Sequence, residues 1–250
     1  MLRAVFRLAL RQTEGLIGSI LQLLGLDLAV PDHSTLSRRA KTLEVPKPCP
    51  SSRGPAHLLV DSTGLRLGGP GEWLTENHGT PRRRSWRKLH IGVDAETGQI
   101  LASELTSNDV DDGSQVELLL DQITAPLASS GDGAYDQIDI YGTVTQHHPD
   151  AGVIIPPRAT AVPSNMAEGT PSEREQHLQS IAKHGRMGWQ KRSGYTRRAP
   201  VETSISRFKR VIGDALHSQT DQRRATEVAI AISALNRMFE LGRQKSVRIA

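Results

Sequence analysis

The spacing of hydrophobic and polar positions predicts amphipathic helices near both ends of the chain. Apolar residues recur every three or four positions over 5–24 and again over 222–243, a period typical of helices with one buried face. A turn and a shorter basic helix, with Ser34 as its N-cap, are predicted over 31–43. The two N-terminal helices suit either part of a helix-turn-helix or a helical hairpin that only packs, and the pattern favours neither.

Between these helices, shorter apolar runs predict strands. Residues 57–63 have the composition of a buried strand that ends in Asp61. Residues 86–106 predict two strands joined by a turn at 96–98, and 151–157 predicts a strand that two prolines terminate. The other predicted elements are a strand just before 129, helices over 109–123, 135–147, 172–184 and 200–213, and loops over 68–84 and 158–172. This order predicts a mixed α/β fold, in which a five-stranded mixed sheet is flanked by helices.

A proline-rich stretch gives the clearest domain boundary. The sequence "EVPKPCPSSRGP" at 44–55 contains four prolines and one glycine, which is typical of a linker. The predicted parts are a short helical N-terminal segment (1–45), a linker (46–56), the α/β domain (57–243) and a tail (244–250).

Charge is balanced overall but unevenly distributed. Lysine and arginine number 31 against 27 acidic residues, so the formal net charge is +4. Basic residues gather at 82–88 and over 183–210, whereas the acids favour the middle of the chain. Such clusters suit a polyanionic partner such as nucleic acid, or two solvated charged faces, in about equal measure.

Several classes of chemistry are excluded by what the sequence lacks. Cys49 is the only cysteine, which rules out a disulfide framework and a cysteine-based zinc site and fits a reducing cytoplasm. There is no Walker A sequence and no dinucleotide fingerprint, so no nucleotide cofactor is implied. No apolar stretch is long enough to cross a membrane.

Three carboxylates occupy positions from which such a sheet would present them at one edge. Asp61 ends the first strand, Asp132 follows the fourth strand, and Glu202 begins a late helix within the most basic part of the chain. Converging carboxylates repel unless cations lie between them, and oxygen ligands suit Mg²⁺ or Mn²⁺. Two such ions can activate a water or a 3′-hydroxyl in phosphodiester chemistry. By composition alone, a single glutamate among cations is somewhat better explained as a charge neutraliser.

Other candidates have simpler explanations. Asp136 could be a ligand but is better explained as a solvated helix residue. Trp86 and Trp189 each stand among cations, where a nucleic-acid base could stack on them, although anchoring the local fold is the favoured role of each.

Five stretches of the chain together resemble one known family. A motif with the spacing Y-x2-R-x3-E-x6-K is formed by Tyr195, Arg198, Glu202 and Lys209. The block "LLVDSTGL" around Asp61 and the block "GDGAYD" around Asp132 precede it. Together with "RRSWRKLHIGVD" and "IIPPRATAV", they resemble bacterial insertion-sequence transposases of the DDE type, most closely the insertion sequence five family. The resemblance covers about residues 8–243.

This resemblance implies a ribonuclease-H-like catalytic domain. It implies that Asp61, Asp132 and Glu202 bind two Mg²⁺ or Mn²⁺ ions. It also implies that the enzyme hydrolyses DNA at the transposon ends, after which the freed 3′-hydroxyl attacks target DNA. The residues expected to contact DNA are Tyr195, Arg198, Lys209, Arg82, Arg83, Arg84, Arg87 and Lys88. The implied partners are double-stranded DNA, as inverted repeats and as target, and a second copy of the chain, with a nucleoid-associated location in a bacterial cytoplasm.

Two departures from the family pattern leave alternatives open. Gly131 stands where a small alanine is expected, and relatives of this type carry additional sequence before the first helix. The alternative expectation is therefore an N-terminally truncated, non-catalytic DNA-binding remnant, with 1–45 as what is left of a DNA-binding region. A host nuclease on the same fold is a third possibility.

Overall fold

The computed structural model describes residues 1–46, 48, 55–68, 86–124, 126–130, 135–162, 171–195 and 199–242. The strands are β1 Ala56–Leu67, β2 Trp86–Asp94, β3 Ile100–Ser107, β4 Leu127–Ser130, β5 Val153–Ile154 and β6 Ala215–Leu216. The helices are α1 Leu2–Phe6, α2 Leu10–Leu23, α3 His33–Thr42, α4 Val116–Leu120, α5 Ile138–His147, α6 Glu173–Ser193, α7 Ala199–Val211 and α8 Asp221–Glu240.

The chain divides into two compact units. The helical unit consists of Met1–Pro46, Leu65–Arg87 and Arg207–Ala250, and the sheet unit consists of Lys47–Gly64 and Lys88–Ser206. The predicted N-terminal segment lies in the helical unit, whereas residues 57–243, predicted as one domain, are shared between the two units. None of the described helices is long and apolar enough to cross a membrane.

The sheet unit is organised around β1, which lies between β2 and β4. The strand order is β3-β2-β1-β4-β5, and the pairs β1–β4 and β4–β5 are parallel. β2 and β3 form a hairpin, so the sheet is mixed. The prediction of a mixed α/β fold is therefore confirmed. The two-residue strand β6, which pairs with the end of β1 inside the helical unit, is too short to leave a pattern in the sequence.

Asp94 explains why the predicted turn forms between β2 and β3. Its Oδ2 accepts the Thr97 hydroxyl at 2.6 Å and the Thr97 backbone N–H at 3.1 Å. Its Oδ1 also accepts the backbone N–H of His57 at 3.3 Å. One buried aspartate thus closes the hairpin and ties it to the start of β1.

The core of the sheet unit is mainly aliphatic, in agreement with a sequence in which only 4% of the residues are aromatic. Strand and helix residues contribute to it, among them Leu58, Val60, Leu101, Leu119, Leu120, Ile140 and Val153. Burying each such side chain stabilises the fold by about 1.5–3 kcal/mol.

Gly92 on β2 lies where the core leaves no room for a side chain. A Cβ at this position would lie 2.8 Å from Leu58 Cδ1 and 3.5 Å from Ala102 Cβ. We expect Gly92→Ala to lower the free energy of unfolding by about 1–2 kcal/mol, because the packed core must shift. The matched control is Gly142→Ala on α5, where nothing lies within 4 Å. This control should raise stability by about 0.5–1 kcal/mol in the same urea titration, and equal losses in both variants would contradict the prediction.

In the helical unit, α1, α2, α3 and α8 pack against one another. The prediction of a single helix over 5–24 is wrong, because Arg7 adopts the left-handed conformation (φ 52°) and ends α1. The Arg7 guanidinium donates to the backbone carbonyl of Arg210 at 2.6 Å, a contact that the periodicity of α1 and α2 cannot reveal.

The N-cap of α3 is Asp32 and not Ser34. Asp32 Oδ1 accepts the backbone N–H of Thr35 and the Ser34 hydroxyl, both at 2.7 Å. The Ser34 and Thr35 hydrogen bonds lower the pKa of Asp32 to about 2. Glu14 on α2 accepts the backbone N–H of His33 at 2.9 Å, so α2 and α3 pack as a hairpin.

Two further helix bounds differ from the prediction. The helix predicted over 109–123 shortens to α4, preceded by a 3₁₀ turn at Gly113–Gln115, because Asp111 Oδ2 accepts the Gly113 backbone N–H at 2.9 Å. The helix predicted over 172–184 continues as α6 to Ser193, with a kink at Gly185 (φ 71°, ψ 167°).

Candidate active site

Asp61 lies on the central strand of the sheet. Three buried residues, Leu58–Val60, precede it on β1, and half-buried polar residues follow it. Its Oδ1 accepts the backbone N–H of Ser62 at 2.8 Å, which orients the carboxylate. The predicted position of this carboxylate on a strand is confirmed, although the strand continues to Leu67.

The strand predicted before Asp132 is also present. It is β4, whose four residues pair with β1 in parallel register from Ala56 with Leu127 to Leu59 with Ser130. Asp132 and its neighbours 131–134 lie outside the described residues.

Asp136 is buried, so its interpretation as a solvated residue is wrong. Its side chain is 1% exposed and forms an ion pair with Arg174 at 2.7 Å. Its Oδ2 also accepts the Arg158 backbone N–H at 2.9 Å. Burial raises the pKa of Asp136, but the hydrogen bonds from Arg174 and Arg158 outweigh it and hold the pKa below its usual range. Sequence reasoning missed Arg174, since no local pattern links residues 38 positions apart.

Glu202 lies in the first turn of α7. Val201 and Ser204 on the same helix are buried, whereas Glu202 is exposed to solvent. The Ser204 hydroxyl donates to the Gly98 carbonyl at 3.4 Å and places this part of α7 beside the β2–β3 turn. The carboxylate is thus accessible to a metal ion or to DNA, and the negative charge near a helix N-terminus is favourable.

Tyr195 lies just after the end of α6, next to Gly194. Its ring centroid is 5.4 Å from that of Trp189, with the two planes at 36°. Trp189 is 1% exposed, so it anchors the local fold and no base can stack on it. Trp86 is 37% exposed, so its surface is accessible to a partner. Arg198 lies outside the described residues.

Two residues of the predicted basic cluster form ion pairs within the chain. Arg87 binds Asp221 at 2.9 Å in the helical unit. In the sheet unit, Lys88 pairs with Asp112 at 3.1 Å and donates to the Val110 carbonyl at 2.7 Å. A phosphate would have to share or displace these carboxylates. Arg82, Arg83 and Arg84 lie outside the described residues.

Lys209 is half-buried on the part of α7 that belongs to the helical unit. It lies near Asp214, whose carboxylate binds Arg66 at 2.7 Å. The Arg66 hydrogen bond lowers the pKa of Asp214, and the charge of Lys209 adds a smaller effect. That these cations bind DNA stays a prediction.

Within the described part of the chain, no three His, Cys, Asp or Glu side chains cluster closely enough to hold a metal ion. Asp132 is not among those residues, so the predicted triad of carboxylates stays a prediction.

Comparison with known proteins identifies the family. A family model described as a transposase DDE domain matches residues 52–237, and a second model with the same description matches residues 1–70. That the α/β domain has a ribonuclease-H-like fold stays a prediction. The chain belongs to the transposase DDE domain family, which generally uses divalent metal ions.

Three solved structures are similar to the chain at low identity. A synaptic complex of piggyBac transposase with hairpin DNA has 11% identity and a TM-score of 0.42, over 78% of this chain and 50% of that one. The catalytic core domain of BIV integrase has 13% identity and a TM-score of 0.34, over 78% and 88%. The Mos1 transposase paired-end complex with the left transposon end has 10% identity and a TM-score of 0.30, over 93% and 72%. The chain thus spans half the length of the piggyBac protein.

Proposed function

We propose that this protein is a transposase that cuts DNA at the ends of a mobile element and joins the freed 3′-hydroxyl to target DNA. Its membership of the transposase DDE domain family supports this activity. The exposed Glu202 in the first turn of α7 and the half-buried Asp61 on the central strand also support it.

The observation that carries the proposal is the register of the two parallel strands. Every described β1–β4 pair joins residues 71 positions apart, as in Ala56 with Leu127 and Leu59 with Ser130. Asp61 and Asp132 are separated by the same offset, since 132 minus 61 is 71. We infer from this shared offset that Asp61 and Asp132 serve the same site, where a cation would offset the repulsion of the two carboxylates.

The donor set fits divalent cations that prefer oxygen ligands. Asp61, Asp132 and Glu202 would hold two Mg²⁺ or Mn²⁺ ions through carboxylate oxygens. Bound there, such ions supply an activated water or 3′-hydroxyl and stabilise the leaving oxygen of the phosphodiester. The Ser62 backbone N–H holds one Asp61 oxygen in place and so fixes the direction of the carboxylate.

The remaining motif residues are proposed to bind the DNA backbone. Tyr195, Arg198 and Lys209 surround Glu202 in the sequence, and the cluster of basic residues at 82–88 adds positive charge. Binding through phosphates predicts an affinity that falls steeply with salt. We further propose that two copies assemble on two inverted repeats, and that the protein acts at the bacterial nucleoid.

The test is cleavage of a duplex that carries the terminal repeats of the element, with Mg²⁺ or Mn²⁺. We expect the wild type to nick the repeat ends, and Asp132→Asn and Glu202→Gln each to slow nicking about 10³-fold, since each removes a metal ligand. Glu117→Gln, a change of an exposed helical glutamate on α4, is the matched control and should cleave normally.

The outcomes separate the proposal from its rivals. A folded wild type that binds the repeats in a salt-dependent way but never cuts them would establish the non-catalytic remnant. Equal cleavage of duplexes with and without the repeats would point to a host nuclease.

A further inference from the structure

Tyr195 rests on a series of side-chain contacts that begins at the edge strand β5. Residue His177 lies on α6. Its Nε2 is 2.8 Å from the carbonyl oxygen of Val153, and its Nδ1 is 3.1 Å from Nε1 of Trp189. Trp189 in turn packs against the Tyr195 ring. We propose that His177 is a positioning residue, which holds Trp189 as the platform that orients Tyr195 toward DNA. The proposal rests on the proposed function, in which Tyr195 contacts DNA.

The hydrogen-bond partners of His177 determine the tautomer of its neutral ring. The indole N–H of Trp189 can only donate, so Nδ1 of His177 must accept. The single proton of the neutral ring then lies on Nε2, where it is donated to the Val153 carbonyl. The imidazole is held at both nitrogens, and it meets the Trp189 ring edge-on, with centroids 5.5 Å apart and planes at 80°.

Tyr195 lies beyond the regular backbone of α6, so ring packing contributes to the direction of its side chain. Helix α6 ends at Ser193, and Gly194 adopts the left-handed conformation (φ 78°). The Tyr195 backbone N–H makes a long contact of 3.4 Å with the Ser193 hydroxyl. The buried indole of Trp189, whose ring plane is fixed, therefore orients the tyrosine ring that packs on it.

A purely structural role for His177 must be separated from positioning. Val153 lies on an edge strand. Side chains of α6 form hydrogen bonds with both its backbone N–H and its backbone carbonyl. Glu173 Oε2 accepts the Val153 N–H at 3.0 Å, and His177 donates to its carbonyl. Covering an exposed strand edge in this way is a common device of stable sheets.

Two conservative variants separate the two hydrogen bonds of His177. In His177→Asn, the amide oxygen of the new side chain lies near the former position of Nδ1 and still accepts from Trp189, but the bond to Val153 is lost. His177→Gln keeps a donor for Val153 and loses the acceptor for Trp189. Positioning predicts that the glutamine variant is the defective one, whereas edge covering predicts the reverse.

The first measurement is independent of DNA. In full-length protein with Trp73→Phe and Trp86→Phe, Trp189 is the only tryptophan that remains. We expect His177→Gln to raise the acrylamide quenching constant of Trp189 fluorescence about twofold or more. His177→Asn should change this constant by less than about 1.5-fold. His148→Gln is the matched control, and thermal melts confirm that all variants fold.

The second measurement is nicking of the terminal-repeat duplex. We expect His177→Gln to lower kcat about tenfold with KM changed less than about threefold, because a misdirected contact costs rate more than binding. In a Tyr195→Ala background the same change should lower kcat less than about twofold, since His177 acts through Tyr195.

Each result decides the inference. Unchanged quenching in His177→Gln, a larger defect in His177→Asn, or an equal loss of kcat with and without Tyr195 would each overturn it. A wild type that fails to nick DNA would instead overturn the proposed function, and the quenching comparison would still decide whether His177 positions Trp189.

Discussion

Replacing Asp61 by asparagine should abolish metal-dependent DNA cleavage while the protein stays folded and continues to bind DNA. We expect the nicking rate to fall about 10³-fold or more, because the change removes one anionic ligand from the centre of the proposed site. The asparagine side chain has the same shape, and its oxygen can still accept the backbone N–H of Ser62, which is 2.8 Å from Asp61 Oδ1. The free energy of unfolding should therefore change little.

The measurement is single-turnover cleavage of the terminal-repeat duplex, with a filter-binding assay at the same salt concentration. Asp139→Asn is the matched control, since Asp139 is an exposed aspartate in the first turn of α5. This variant should cleave the duplex at the wild-type rate. Cleavage by Asp61→Asn within about tenfold of the wild type would remove Asp61 from the catalytic site.

The largest expected effect on stability concerns the buried ion pair of Asp136 and Arg174. Arg174→Met should lower the free energy of unfolding by about 3 kcal/mol or more, because it leaves a carboxylate that is 1% exposed without its charged partner. Arg237→Met is the matched control. Arg237 binds Glu240 at 2.6 Å on the surface of α8, so its loss should cost about 0.2–1 kcal/mol.

A double variant tests the origin of the loss. Combining Asp136→Asn with Arg174→Met removes the buried charge as well as its partner, so the combined loss should be clearly smaller than the sum of the two single losses. Additive losses in chemical denaturation would mean that the two residues stabilise the fold independently, and would contradict the ion-pair explanation.

The same pair predicts a dependence of stability on pH. The pKa of Asp136 is lower in the folded protein than its usual value of 3.8. The stabilisation is therefore complete above that value and is lost as the pH falls below about 4, through the lower pKa of the folded state. Thermal melts in this acidic range should show a smaller pH dependence for the double variant than for the wild type.

Local patterns predicted those elements whose cause is local. The β2–β3 turn follows from Asp94, Thr97 and Gly98, which are neighbours in the chain and form its hydrogen bonds. The strand β1 and the helix α7 were predicted as well, so the elements that carry two of the three proposed ligands, Asp61 and Glu202, could be located from sequence.

Contacts between distant residues explain what the prediction missed. Arg7 leaves the helical conformation beside Arg210, which is 203 positions away in the chain. Asp136 is buried because Arg174 and Arg158 reach it from later segments. Neither Asp136 nor Arg7 differs from a solvated charged residue in any local window of sequence.

The sequence by itself determined most of the order of strands and helices, the family and the identity of the three proposed ligands, because periodicity, turn residues and motif spacing are properties of neighbouring positions. Only the tertiary structure decided the β1–β4 register, whose offset of 71 equals the separation of Asp61 and Asp132 in the sequence, the burial of Asp136, and the support of Tyr195 by Trp189 and His177. These depend on hydrogen bonds and packing between segments far apart in the chain, which form only when the sheet and its helices assemble.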